Sequence, residues 1–124
     1  MKQIVDPNNW EDNIPNADDL EKLIEDPNIT DIELSRNGNW VIDLYIDEYS
    51  NGDTVCTIGL SNINIMSDKN IAKYGEELME KFDHLFHLTI RNIPRTQIHY
   101  KIKSCVEECK EYLNYINTVL NNIL

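Results

Sequence analysis

Glycine is scarce in this sequence, with only four residues in a chain of 124. Two of them, Gly38 and Gly52, follow asparagine in turn-like stretches, which leaves little material for a glycine-rich loop that cradles phosphate. The common nucleotide-binding, serine-hydrolase and zinc-protease motifs are also missing. We therefore expect a protein that is not an enzyme and that needs no cofactor.

Long apolar runs are absent as well. No stretch approaches the roughly 18 apolar residues of a membrane-spanning helix, and the opening "MKQIVDPNNW" lacks the apolar centre of a secretory signal. The three cysteines, Cys56, Cys105 and Cys109, are odd in number and show no disulfide-framework spacing. These features predict a cytoplasmic protein with reduced thiols and no membrane contact.

Positive charge is the third shortage. The chain carries 11 Lys and Arg against 22 Asp and Glu, a formal net charge of −11. Residues 1–66 hold 14 acidic and 3 basic side chains, whereas residues 67–124 hold 8 of each. Nucleic acid is disfavoured as a partner because binding it requires a basic face. We expect a basic protein partner instead.

The length and apolar content fit a single domain spanning residues 1–124, with an irregular arm at 1–15. Asn16 is placed to cap a first helix, which Pro27 ends near Glu25. A second helix is predicted from Ser67 or Asp68 to about Phe86. A third is predicted to begin at the capping box formed by Ser104 and Glu107.

Alternating apolar residues predict three consecutive strands between residues 31 and 60. Residues 88–103 return to strand character on either side of Pro94 and Arg95, which suggests a turn or an edge hairpin there. The predicted fold is α+β: a mostly antiparallel sheet, made of a three-stranded meander plus one or two later strands, with three helices packed mainly on one face.

Strand register follows from matching apolar faces, because a slip of one residue turns a whole strand over. A three-residue loop at 50–52 sets Ile46 opposite Cys56 and Leu44 opposite Ile58. The same rule applied to a three-residue loop at 36–38 sets Leu34 opposite Trp40. It also brings Asp31 directly across from Asp43.

The face opposite the predicted core carries carboxylates and tyrosines. Such a face is commonly just the solvated side of an antiparallel sheet. Tyrosines ringed by acids are also typical of a docking surface for a cationic protein, since the charges steer association and the rings supply contact area. We take the second interpretation, with the acidic first helix as an alternative interface. The candidate partner-binding residues are Glu33, Asp43, Tyr45, Asp47, Glu48 and Tyr49.

Two other clusters have simpler explanations. His84 and His87, together with Cys105 and Cys109, have spacings that could supply a zinc site. Cys109 lies in the apolar stripe of its helix, however, so no metal is predicted. The basic residues between 91 and 103 are interpreted as an edge strand protected by lysine. Nucleic-acid binding or self-association into a homodimer are the alternatives.

These observations favour a non-enzymatic inhibitor of a basic protein, above all a toxin immunity protein that neutralises a nuclease-type toxin. The abundance of Asn and Ile hints at a bacterial or phage gene. One alternative is a phage-encoded DNA mimic that antagonises a host defence or DNA-binding complex. Another is a dimeric type III secretion chaperone, which the predicted element order and the acidity resemble.

Overall fold

The computed structural model describes residues 8–48, 54–63, 67–80 and 88–123, with the backbone alone at 47–48, 54–55, 88–92, 117 and 119–123. Within these ranges, five strands form one antiparallel sheet in chain order. The strands are β1 (Glu11–Asp12), β2 (Asp31–Asn37), β3 (Trp40–Glu48), β4 (Thr54–Asn62) and β5 (Leu88–Pro94). The helices are α1 (Ala17–Glu25), α2 (Asp68–Tyr74) and α3 (Ile98–Ile123). The predicted α+β class is confirmed.

The core lies between one face of the sheet and the helices. Inward-facing residues of β3 and β4 are buried, and the apolar stripes of α1 and α3 pack onto them. The described helices contribute to this core, and the opposite face of the sheet contributes none of the core residues. The core includes Leu20, Ile24, Trp40, Ile42, Leu44, Ile58, Leu60, Val106, Cys109, Leu113 and Ile116.

The register of β3 with β4 is as predicted. Ile46 lies opposite Cys56, Leu44 opposite Ile58, and the pairing continues in step to Trp40. The loop itself lies outside the described residues. The match of apolar faces was therefore sufficient to fix this pair of strands.

The predicted register of β2 with β3 is wrong. The connection is a two-residue turn, Gly38 and Asn39, because Asn37 pairs with Trp40. Gly38 has a φ of 61°, and no described residue other than glycine has a positive φ. A positive φ confined to the first central position is the requirement of a type II′ hairpin turn.

A β-bulge in β2 then restores the alternation in which apolar side chains face the core. The tight turn places Ser35 opposite Ile42 on the core side, and the register shifts between Glu33 and Ser35. Beyond the shift, Ile32 faces inward again and Glu33 faces outward. Asp31 therefore lies opposite Tyr45, and it is Glu33, rather than Asp31, that lies opposite Asp43.

The prediction that residues 96–103 form a strand is also wrong. A 3-10 turn at Arg95–Gln97 leads directly into α3, which begins at Ile98. Ile98 and Ile102 are buried, but Tyr100 between them is 78% exposed. Ile98 and Ile102 are four residues apart, a separation that puts two side chains on the same face of either a strand or a helix. Only the residue between them separates the two cases: Tyr100 would share that face in a strand and does not in a helix.

Two predictions that depended on this strand are also wrong. Ser104 is not a helix cap, because its hydroxyl donates to the carbonyl of Lys101 inside α3. Lys101 and Lys103 do not protect a sheet edge and lie exposed on the same helix. The predicted second helix is also interrupted: α2 ends at Tyr74 and is followed by Gly75, whose φ is 91°, before residues 76–80 become helical again. The rest of that prediction, residues 81–86, lies outside the described residues.

Candidate docking face

Four side chains converge on the face of the sheet away from the core, and we call Asp31, Glu33, Asp43 and Tyr45 the acidic sheet face. Cross-strand pairing sets Glu33 beside Asp43 and Asp31 beside Tyr45. The strand alternation of β2 and β3 places all four on the same side. On β4, the position opposite Asp43 is Gly59, which contributes no side chain of its own.

Asp43 has the most perturbed carboxyl group of this face. Partial burial, and then the negative charges of Asp31 and Glu33, raise its pKa to about 6. Burial also raises the pKa of Asp31, and a hydrogen bond between the two carboxyls favours the proton on Asp43. The Asp31 and Asp43 pair thus resembles other close carboxylates that resist ionising together.

Tyr45 contacts Asp43, its neighbour on the same face of β3. Its hydroxyl lies 3.4 Å from Oδ2 of Asp43, to which it donates. Burial first, and then the charges of Asp43 and Asp31, raise the pKa of the phenol, so it stays neutral and available as a donor. The ring is half-buried, which leaves part of an aromatic surface between acids.

Glu33 has a cationic neighbour that the sequence did not single out. Nη2 of Arg36 lies 2.6 Å from Oε1 of Glu33, and Nε of Arg36 lies 3.0 Å from the same oxygen. The bond to Glu33 raises the pKa of Arg36. This ion pair is well exposed, so it offsets the charge of Glu33 with little contribution to stability.

The remaining candidate residues are only partly described. Asp47 and Glu48 belong to β3, opposite Val55 and Thr54 of β4. Their side chains, and the whole of Tyr49, lie outside the described residues. These three assignments stay predictions.

The acidic first helix is partly neutralised by the second half of the chain. Arg95 donates to Glu21 at 3.0 Å and to Glu25 at 3.1 Å. The same contacts engage one member of the basic patch that the sequence indicated. On the sheet, Asp31 and Asp43 take part in none of the ion pairs found among the described residues, and Asp18 and Asp19 of α1 take part in none either.

The cysteines belong to the core. Cys105 and Cys109 are buried in α3, and burial raises the pKa of Cys109 to about 12. His84 and His87 lie outside the described residues. Among the residues that are described, no group of three His, Cys, Asp or Glu side chains is arranged to hold a metal ion.

A groove runs beside the acidic sheet face, between α1 and the outer edge of β2. It is open to solvent and has a volume of about 460 Å³. Its walls combine apolar surface with charges of both signs. The lining residues are Asn13, Pro15, Asp19, Lys22, Leu23, Ile32 and Glu33.

This arrangement can bind cations and can hold a proton near neutral pH. A carboxyl with a pKa near 6 is a possible acid–base group. Asp31 and Glu33 beside it are exposed to solvent.

In the part of the chain that is described, no helix has the length and apolar character needed to cross a bilayer. Compared with protein-family models, with curated proteins and with solved structures, the chain matches none. Its function has to be inferred from its own geometry and charge.

Proposed function

We propose that this chain is a non-enzymatic acidic binding protein that inhibits a basic partner, above all a toxin immunity protein that neutralises a nuclease-type toxin. The observation that carries the proposal is the placement of Asp31, Glu33 and Asp43 side by side on one face of β2 and β3, where their crowding raises the pKa of Asp43. Carboxylates that repel one another oppose folding at neutral pH. A cluster that opposes folding is better explained by binding than by stability.

A nuclease is the partner whose surface best complements such a cluster. Enzymes that bind nucleic acid present Lys and Arg to the phosphates. Carboxylates on a flat sheet can occupy those cations, and the Tyr45 ring adds contact area at small entropic cost. We place this inhibition in the cytoplasm, where the three buried thiols stay reduced.

The proposal is tested by capturing the partner with a tagged chain in its native cells. The expected partner is a basic protein whose nuclease activity is lost on adding one equivalent of the chain. The Asp31→Asn/Asp43→Asn double variant should bind it at least about tenfold more weakly, because desolvated charge contacts at interfaces are each worth more than about 1 kcal/mol.

The matched control is Glu108→Gln/Glu111→Gln. Both residues are exposed on α3, which packs on the other face of the sheet, and the double variant changes the net charge by the same amount. Equal loss of binding in the two variants would mean that only total charge matters. An acidic or uncharged partner would contradict the proposal outright.

A further inference from the structure

In the part of the chain that is described, the outer edge of β2 at Asp31–Glu33 has no neighbouring strand. β1 pairs with β2 only at residues 35–36, and the N–H of Asn13 then donates to the carbonyl of Leu34 at 2.9 Å. Two residues later comes Pro15, which has no N–H to continue such a ladder, and the chain turns into α1. Among the described residues, no strand pairs with Asp31–Glu33 on this side.

The hydrogen-bond pattern shows which backbone groups face this edge. The N–H of Ile46 donates to the carbonyl of Thr30 at 2.9 Å, so these opposite residues form a hydrogen-bonded pair. Bonded and non-bonded pairs alternate along an antiparallel ladder. Asp31 and Glu33 therefore occupy non-bonded positions, and their N–H and C=O groups point away from β3 toward the open edge.

The groove described above lies along the same edge. Leu23 and Ile32 are partly buried and supply its apolar surface. Asp19 and Glu33 add carboxylates, and Lys22 adds one ammonium group. Edge-facing backbone groups, apolar surface and net negative charge are the three features that would bind a basic, partly apolar strand by addition to the sheet.

We propose that the edge of β2 at Asp31–Glu33 accepts an extended segment of a basic partner protein as an added strand. This inference rests on the proposed function and gives its binding mode. Side chains of the added strand opposite Asp31 and Glu33 project onto the acidic sheet face, and the one opposite Ile32 projects toward Leu23. The segment therefore alternates Lys or Arg with apolar residues.

A second copy of this chain is a poorer occupant. Pairing two β2 edges brings Asp31 and Glu33 of one molecule against the same acids of the other. Like charges on adjacent strands destabilise the pair, and charged edges are a known protection against self-association. Charge complementarity thus selects the basic segment.

The test uses a capped synthetic peptide of four lysine–valine repeats and amide hydrogen exchange followed by NMR. With the peptide at about ten times its Kd, exchange at Asp31 and Glu33 should slow about tenfold, because only the unbound fraction exchanges. The amide of Ile32, which already faces β3, is the internal reference and should change little. A control peptide of the same composition, in which a block of lysines precedes a block of valines, should give much less protection.

Proline variants test the same geometry through affinity. Asp31→Pro removes the charge and an edge-facing N–H, whereas Asp31→Ala removes the charge alone. The proline variant should bind the repeat peptide about two- to tenfold more weakly than the alanine variant, as expected for one lost hydrogen bond. Glu33→Pro against Glu33→Ala provides a second, independent comparison.

Several results overturn the inference. One is peptide binding that leaves amide exchange at Asp31 and Glu33 unchanged, which would exclude strand addition. If that binding still weakens with salt and in the Asp43→Asn variant, the proposed function stands with another binding mode. If neither peptide binds, strand addition fails, and the proposed function is decided by the capture of the partner. Protection of the two amides in the free protein means that the edge is already covered, by a second copy if the protection rises with concentration and by the chain itself if it does not.

Discussion

Glu33 on β2 lies directly opposite Asp43 on β3, on the face of the sheet away from the core and its described helices. Two carboxylates in adjacent strand positions weaken the pairing of those strands. Arg36 compensates Glu33 at 2.6 Å, but Asp43 is left between Glu33 and Asp31, and its pKa rises to about 6. The cluster therefore reduces stability at neutral pH in exchange for concentrated negative potential.

Asp43→Asn should stabilise the protein at pH 7.5 more than at pH 4.5. Because the folded pKa of about 6 lies above the ordinary value of 3.8, the folded state binds a proton more tightly than the unfolded state. Stability contributed by Asp43 is present at low pH and falls as pH rises from about 4 to about 6. Asparagine keeps an acceptor for Tyr45 without the charge.

Urea unfolding of wild type and Asp43→Asn at the two pH values measures this difference. Asp18→Asn, on the exposed surface of α1, is a matched single-charge control and should not reproduce the pattern. An Asp43→Asn variant that loses stability at pH 7.5, relative to wild type, would show that ionised Asp43 is held by favourable contacts.

Lys110→Met should destabilise the protein at neutral pH and much less in acid. Lys110 contacts Asp12 at 2.9 Å and lies 5.9 Å from the ring centre of Trp10, and so joins α3 to β1. The hydrogen bonds from Lys110 and Ser35 lower the pKa of Asp12. The stability from this contact is present above the unfolded pKa of Asp12 and is lost as pH falls through its lowered folded value.

Unfolding curves at pH 7 and pH 3 check that expectation. Because half of the Asp12 side chain is exposed, the difference at pH 7 should be about 1 kcal/mol or less. Lys103→Met, at an exposed residue of the same helix, should leave stability nearly unchanged at both values. A loss of equal size at pH 3 would assign the effect of Lys110 to packing against Trp10.

Leu44→Ala should reduce the free energy of unfolding by about 2–5 kcal/mol through the cavity it leaves. Leu44 is completely buried in the middle of the sheet. Denaturant titration measures the change, with Thr57→Ala on the outer face of β4 as the comparison. A loss well below about 1 kcal/mol would mean that β3 presents its other face to the core.

Gly38→Ala should cost about 1–2 kcal/mol, the penalty for placing a Cβ in the left-handed region. A Cβ built at Gly38 meets nothing within 4 Å, so the penalty is conformational and not steric crowding. Because the turn fixes the β2–β3 register, the variant also tests whether the bulge depends on it. Unchanged stability on denaturant titration would show that the turn relaxes freely.

The sequence predicted the sheet where apolar alternation had only one solution. In β3 and β4, a shift of one residue would have exposed Leu44 and Ile58. In β2, Ser35 and Asn37 are buried although they are polar, and Ser35 donates to Asp12 at 2.6 Å. That contact depends on β1, so the bulge could not be derived from β2 alone.

The acidic sheet face was found despite that error for a geometric reason. The predicted and observed registers of Glu33 against β3 differ by two residues, and a shift of two keeps side chains on the same face. The contact of Arg36 with Glu33 was not predicted because residues 36–38 were assigned to a loop, and a loop residue is not assigned to either face of the sheet. The start of α3 was missed because Ile98 and Ile102 fit both the strand period and the helix period. Nothing in the local sequence indicates that Tyr100 is exposed.

The rate of association with the captured partner, measured from low to high salt, tests the central claim most directly. We predict that the rate for the wild type falls steeply with salt, and that Asp31→Asn/Asp43→Asn lowers it about tenfold at low salt, since electrostatic steering accelerates association by about 10-fold or more. The Glu108→Gln/Glu111→Gln control should stay within about twofold of wild type. A rate that does not depend on salt, or that falls equally in both variants, would contradict binding through the acidic sheet face.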